Sequence, residues 1–260
     1  SNATESCQGT SQNNFSMSFD GDDNIDLNTT INNLGISETS ISIVLDVNPY
    51  IFGSNSSEDI LIGTDMEGIQ SDNGIKIQTS TNSNFSATVG GADSDDTYHV
   101  SGEPKTINQW YNVAISVDRD NNLFTLYVNG IPEDQKDISN LLSAIGTGMN
   151  LKLGYYVNSN HYFTGLLDNI HIWDTSLSQA EIQEYMNCPP IGDEDGLVGY
   201  WTFEEGEGDV VYDISQSNGN NGTINGANFS NDVPPLNCPC CNYPIETYLD
   251  CDNNCINDID

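Results

Sequence analysis

An all-β sandwich of two antiparallel sheets with one short helix is the fold this sequence predicts, on three observations. The segment Trp110–Gly130 places Val113, Ile115 and Val117 in alternation with smaller or polar residues. It then turns through Asp118–Asn122 and runs back along Leu123–Val128 to Asn129-Gly130. Period-two alternation around a polar turn is the signature of an antiparallel hairpin half-buried in a sheet. Short runs of the same kind recur between Asn-, Ser- and Gly-rich turns, the spacing of a sandwich rather than of alternating strands and helices. Only Leu177–Met186 carries the start signal and spacing of a helix.

Taken in order, Phe15, Met17 and Phe19 alternate with serines before the turn Asp20-Gly21-Asp22-Asp23. Ser40–Val47 (SISIVLDV) alternates cleanly. Ile60–Gly63, Gly74–Thr79 and Phe85–Val89 read as shorter strands, and Leu151–Tyr156 and Gly165–Trp173 supply two more. Trp110, Trp173 and Trp201 fall at strand positions and are expected in the core. Ahead of the helix, Ser178 can accept from the amide three residues on while Glu181 reaches back, a capping box with Leu177 and Ile182 as its hydrophobic staple. Tyr185 and Met186 share the Ile182 face. Cys188-Pro189-Pro190 ends the helix.

The pieces "W-Y-N-V-A", "L-Y-V-N-G", "L-x-L-G" and "F-x-G-x-L-D-x-I-x-I-W", with "F-D-G-x-D-x-I-x-L" before them, resemble the laminin-G-like family of the concanavalin A-like lectin/glucanase superfamily in order and spacing. The resemblance implies a concanavalin A-like jelly-roll with a short helix after the last "D-x-I-x-I-W" strand. It also gives meaning to residues 195–236, because "G-L-V-x-Y-W-x-F-x-E-G-x-G" normally opens such a domain and here follows it. The segment is expected to fold back and complete the sheets in circularly permuted fashion; the alternative is the opening of a second copy. The layout is therefore residues 1–12 as a tag remnant and linker, 13–236 as the sandwich, and 237–260 as a Cys/Asp-rich tail. That tail loosely resembles the calcium-binding repeats of bacterial surface proteins, and the chain is read as a piece of a longer protein with other domains.

Composition narrows the partners. The 260 residues carry five basic and thirty-nine acidic side chains, a net charge of -34. Phosphate binding needs clustered Lys and Arg, so nucleic acid is excluded as a partner, as are anionic membrane surfaces. No window approaches the ~18 consecutive apolar residues of a membrane span. Seven cysteines (Cys7, Cys188, Cys238, Cys240, Cys241, Cys251 and Cys255) bracket the sandwich body and crowd the tail. That placement favours disulfides in an oxidising compartment, hence a secreted or cell-surface protein. A zinc site from Cys238, Cys240, Cys241, Cys251 and Cys255 is the alternative.

Catalysis finds no support. Glycoside hydrolases set two carboxylates ~5.5 Å apart for retention, and no alternating acidic triplet lies on an expected strand. The cluster Glu204–Asp209 has the glycine spacing of a turn, His99, His161 and His171 are isolated, and no G-x-S-x-G occurs. Calcium, which takes six to eight oxygens from converging loops, is the cofactor the sequence suggests. Asp20, Asp22 and Asp23 offer a first set, Asp168 a strand position, and Asp213, with Ser215, Asn218 and Asn221, a second oxygen-rich loop. Ordinary turn and hydrogen-bonding roles compete at each. For ligand binding, Tyr155, Tyr156, Asn158, Asn160, His161 and Tyr162 combine aromatic faces with amides, the chemistry that holds sugar rings; Tyr98 and His99 are a second exposed pair. The expected role is non-catalytic binding or adhesion to a glycan or extracellular surface protein, with structural calcium. The alternatives are a calcium-stabilised spacer and, less favoured, a glycoside hydrolase.

Overall fold

The computed structural model describes residues 13–53, 58–64, 74–91, 96–145, 149–155, 162–217, 219–236 and 238. The hairpin expected at 110–130 forms: β8 (Tyr111–Asp118) pairs with β9 (Leu123–Val128), with Val113 opposite Val128 and Val117 opposite Phe124. Asn129 and Gly130 then have φ of 50° and 69°. Two consecutive left-handed residues make the tight turn whose twist matches antiparallel strands, and Asn-Gly tolerates it best. The turn feeds β10 (Ile131–Asp137).

Outward from this hairpin, β8 pairs with β3 (Ile41–Pro49), which pairs with β12 (Thr164–Trp173). Beyond β12 lie β1 (Ser16–Asp20) and β16 (Asn228–Ser230), with β13 (Leu197–Trp201) alongside the second half of β12. These form the first 8-stranded sheet. The second runs from β14 (Val210–Val211) and β15 (Gly222–Asn225) through β2 (Asn24–Thr30), β11 (Asn150–Leu153) and β4 (Asp59–Thr64). It continues to β5 (Gly74–Thr79), β6 (Phe85–Gly90) and β7 (Thr97–Ser101). All pairings are antiparallel, and the concanavalin A-like jelly-roll sandwich expected from the sequence is the fold.

Alternation decides which side chains meet between the sheets. Ile41, Ile43, Leu45 and Val47 of β3 and Val113, Ile115 and Val117 of β8 join one buried cluster with Leu151 and Leu153 of β11 and Ile75 and Ile77 of β5. The intervening positions face outward, and the first sheet hides them as well. Val44, Ala114, Trp173, Leu197 and Tyr200 form a second buried cluster with Leu177 and Ile182 under the helix α1 (Gln179–Asn187). The capping box forms, Glu181 N–H donating to Ser178 Oγ at 3.3 Å and Ser178 N–H to Glu181 Oε2 at 2.7 Å. Gln179 and Gln183 both donate to the Gly130 carbonyl, fixing α1 on the β9–β10 turn. Tyr185 stacks on Trp173 with centroids 4.8 Å apart. No helix among the described residues is long and apolar enough to cross a membrane.

Several elements differ from the sequence reading. β2 alternates cleanly, with Ile25, Leu27 and Thr29 inward, whereas β7 and β10 lack continuous alternation. β7 and β10 are polar edge strands, joined where Ser101 N–H donates to Asp134 and Lys105 pairs with Glu133 at 2.8 Å. Tyr98 is half-buried against the core, and His99 bonds Thr88 at 2.8 Å, so this pair belongs to an edge strand. Trp173 and Trp201 are core residues, but Trp110 precedes β8, is half-buried, and donates its indole N–H to Asp232 at 3.0 Å. The strand begun at Leu151 ends at Leu153 rather than Tyr156. Cys188 and Cys238 form a disulfide, which takes Cys238 out of the zinc set. Cys7, Cys240, Cys241, Cys251 and Cys255 lie outside the described residues.

Gly154 supplies a test of this packing. Its φ is 77°, and a β-carbon there would overlap the Phe19 ring. Gly154→Ala therefore combines left-handed strain with a core clash, and should cost about 2–4 kcal/mol in chemical denaturation with unchanged m-value.

Candidate functional site

Two loops remote in sequence meet at one end of the sandwich. Asp20 closes β1, and its register partner is Thr164, the first residue of β12. On the other side, Gly154 follows β11, and its missing side chain would lie 3.4 Å from the Asp23 carbonyl oxygen. The acidic turn 20–23 thus packs against the entry and exit of the loop that holds the tyrosines. Phe163 N–H donating to the Gly154 carbonyl at 2.9 Å closes that loop at its base.

In the turn, one carboxylate oxygen from each of Asp20, Asp22 and Asp23 lies within 4.8 Å of the others. Asp20 and Asp22 are exposed and Asp23 is buried. Asp20 N–H donates to Asp23 Oδ2 at 2.8 Å, which fixes the turn. A side-chain hydrogen bond with Asp20, then the Asp20 charge, hold Asp22 above the ordinary carboxylate range. Asp23 is raised as well, chiefly by burial. Among the described residues these three are the acidic, His or Cys side chains grouped closely enough for a shared cation.

The aromatic part is a pair. Tyr155 and Tyr162, both half-buried, stack with centroids 4.6 Å apart and planes at 28°. Lys152 Nζ lies 5.5 Å from the Tyr155 centroid and 4.0 Å from Asp26 Oδ2. Tyr155 thus has both a cation and a ring as neighbours, and Tyr162 is its stacking partner. Tyr156, Asn158, Asn160 and His161 lie outside the described residues.

Asp168 and Asp213 stand apart from this turn. Asp213 is buried, and both its oxygens are occupied: Oδ1 by the N–H groups of Tyr200 and Ser215 at 3.0 Å each, Oδ2 by Asn220 Nδ2 at 2.7 Å. It pins β13 to the loop before β15. Asp168 is fully buried on β12, accepting from Asn13 Nδ2 and from Asn169 N–H, each at 2.8 Å. Its register partner is Asp46, a residue the sequence reading passed over.

Asp46 and Asp168 are two buried acids side by side on the outer face of the first sheet. Asp46 accepts from Asn112 Nδ2 at 2.8 Å and Asn169 Nδ2 at 3.1 Å. None of the ion pairs among the described residues involves either acid. Burial outweighs the two amide hydrogen bonds and pushes Asp46 up to about 6, and burial with the Asp46 charge raises Asp168 well above the ordinary range. Nearby His171 is fully buried and neutral, pushed down to about 3 by desolvation, and its Nδ1 accepts from the Trp173 indole N–H at 2.7 Å.

A sequence signal for Asp46 existed, since it interrupts the aliphatic run SISIVLDV. Alternation placed it facing outward, though, where an acid ordinarily meets water. A raised folded-state pKa means the folded form binds the proton more tightly, so the charge on Asp46 opposes folding above pH 6 and does not below pH 3.8. Asp46→Asn should stabilise the protein at pH 7.5 by on the order of 3 kcal/mol. The difference from wild type should shrink as pH falls through 6 and vanish near 4, as read from paired urea titrations.

Comparison with known structures bears out the architecture. A candidate carbohydrate-binding protein from Bacteroides ovatus ATCC 8483 superposes with TM-score 0.64 at 18% identity, over 86% of this chain and 61% of that one. The chain thus spans about three fifths of that protein's length. The heptameric SAP-like pentraxin of Limulus polyphemus gives TM-score 0.56 at 11% identity, over 84% of this chain and 97% of that one. The CBM40 domain of the Ruminococcus gnavus IT-sialidase, solved with α2,3-sialyllactose, gives 0.52 at 16% identity, over 65% and 94%. At these identities the likeness is one of fold. The family model of laminin-G-like domains matches residues 19–183, more than half of the sequence, and the chain belongs to this family of the concanavalin A-like lectin/glucanases superfamily.

Proposed function

We propose that this is a non-catalytic glycan-binding module, and that it binds its ligand at the end where the acidic turn meets the tyrosine pair. The carrying observation is that convergence: Asp20, Asp22 and Asp23 lie beside the base of the loop bearing Tyr155 and Tyr162. A calcium ion in the turn would relieve the crowding of the three carboxylates and present open coordination positions to hydroxyl oxygens, as hard cations do in loop sites. Tyr162, backed by Tyr155, would offer its ring to the C–H face of a sugar. The carbohydrate-binding description of the Bacteroides ovatus neighbour and the sialyllactose bound by the Ruminococcus gnavus domain support the same reading. A secreted or surface-attached setting fits the Cys188–Cys238 disulfide.

The spacer reading draws on one feature, the Lys152 and Tyr162 groups that flank Tyr155 and make that ring part of the loop's own packing. Thermal unfolding in calcium against chelator, followed by glycan-array screening in both, separates the two. The binding module predicts a melting temperature that rises with calcium concentration, with glycan retention lost on Tyr162→Ala and on Asp22→Asn. Retention that survives both changes would overturn the assignment of the site to this end, and calcium stabilisation with no glycan retained would favour the spacer. If calcium leaves the melting temperature unchanged, the acidic turn holds no ion.

A further inference from the structure

The outer face of the first sheet carries a second polar construction, independent of the tyrosine loop and of the reading above. A cavity of about 150 Å³ opens there, floored by Asp46, Asn112 and Asn129 and walled by Trp110, Met186, Pro234 and Pro235. Three distant segments enclose it: β3 and β8 beneath, the last turn of α1 at one side, and the terminal segment that Asp232 ties to the Trp110 indole. That volume accommodates a group of several heavy atoms, since a water takes roughly 30 Å³.

The lining is unbalanced toward acceptors. Apart from the exposed Asn129 amide at the rim, its donors are spent on the protein: the Trp110 indole N–H on Asp232, Asn112 Nδ2 on Asp46, the Asn112 backbone N–H on Asn129 Oδ1, and Asn187 Nδ2 on the Gln183 carbonyl. Pro234 and Pro235 carry no N–H. Asn112 Oδ1, on a side chain more than nine-tenths buried, has no hydrogen-bond partner among the described residues. An orphaned buried acceptor is costly and asks for a donor. Asp46 adds a carboxylate without a cationic partner among the described residues, with Asp168 beside it and Glu204 acting on Asp168 from the turn after β13. The C-terminal end of α1, where Met186 and Asn187 line the cavity and no basic residue occupies the last turn, adds the negative end of a helix dipole.

We propose that this cavity binds a small organic cation, an alkylammonium group, seated between the Trp110 ring and the Asp46–Asn112 floor. The ammonium supplies the N–H donors and the positive charge that the site lacks. The indole face attracts it, and Met186 and the two prolines accept its alkyl part. A bare metal ion would want six or more oxygens around it, and half of this lining is hydrocarbon. A neutral polyol brings donors but leaves the charge unanswered.

The test is calorimetric titration of the whole chain with ethylammonium, glucosamine, glucose and calcium chloride in turn, at ~0.15 M salt to screen the surface carboxylates. Ethylammonium and glucosamine should bind one equivalent and compete, and glucose should not bind at this site. Asp46→Asn should weaken ethylammonium binding at least tenfold while the melting temperature holds or rises, which separates lost binding from lost fold. Trp110→Ala should weaken it about fivefold, the loss expected for one partly desolvated cation–π contact. Glucose competing as well as glucosamine would overturn the proposal in favour of hydroxyl recognition. Calcium displacing ethylammonium in an Asp46-dependent manner would make this a metal site. No heat with ethylammonium, or binding unchanged in both variants, would sink it outright.

Discussion

The pairing of β12 with β3 is the constraint from which the rest of this structure hangs. β12 pairs with β3 along most of its length, with β1 on the other side of its first half and with β13 on the other side of its second. β1 and β13 take successive stretches of that side, and β12 changes course between them. It does so at a bulge between Asp168 and His171, where Asn169 takes φ of 48°. A left-handed residue bends a strand locally, and Asn adopts that conformation more readily than most side chains. The bend opens the first sheet to β13 and sets Asp168 at the point of divergence, deep under the covering segments.

Cover by distant segments explains why acids are buried here. Antiparallel sheets commonly leave one face to water, but the outer face of this sheet lies under α1, the 188–196 connection and the terminal segment held by the Cys188–Cys238 disulfide and by Trp110. Positions that alternation assigns to solvent are thereby enclosed. Where the enclosed residues are Val44, Trp173 and Tyr200, they form a second small core. Where they are Asp46, Asn112 and Asp168, they form a polar floor with more acceptors than donors. An Asn lattice partly satisfies it without neutralising it. Burial of this kind is unfavourable to stability and is retained most readily where a ligand returns the missing interaction.

The acidic turn and the tyrosine loop combine charge and aromaticity differently. There the acids are largely exposed and crowd one another in a turn, and the rings stack in a neighbouring loop. The two sites illustrate how a strongly acidic chain distributes its charge. Most carboxylates sit in water and cost little, and a few are drawn together by the turn of a strand or the cover of a helix. Asp213 shows a third outcome, a buried carboxylate whose oxygens are all taken by N–H donors and which serves as a structural pin.

The sequence by itself determined the sandwich, the central hairpin, the capped helix and the family, because those depend on local periods. Alternation in Ile41–Val47 and Val113–Val117, the Asn129-Gly130 turn and the Ser178–Glu181 box all act within a few residues of one another. The polar edge strands β7 and β10 carried no such period, and only pairing across the sheet defines them. The acidic turn and the tyrosine pair were each legible as residue types. That they share one end followed only when β1 and β12 paired, joining residues more than 130 positions apart. Trp110 and Asp46 were the hardest to read. Their surroundings are made by a helix and a terminal segment arriving from the far end of the chain, and no short-range pattern encodes what a distant element will cover.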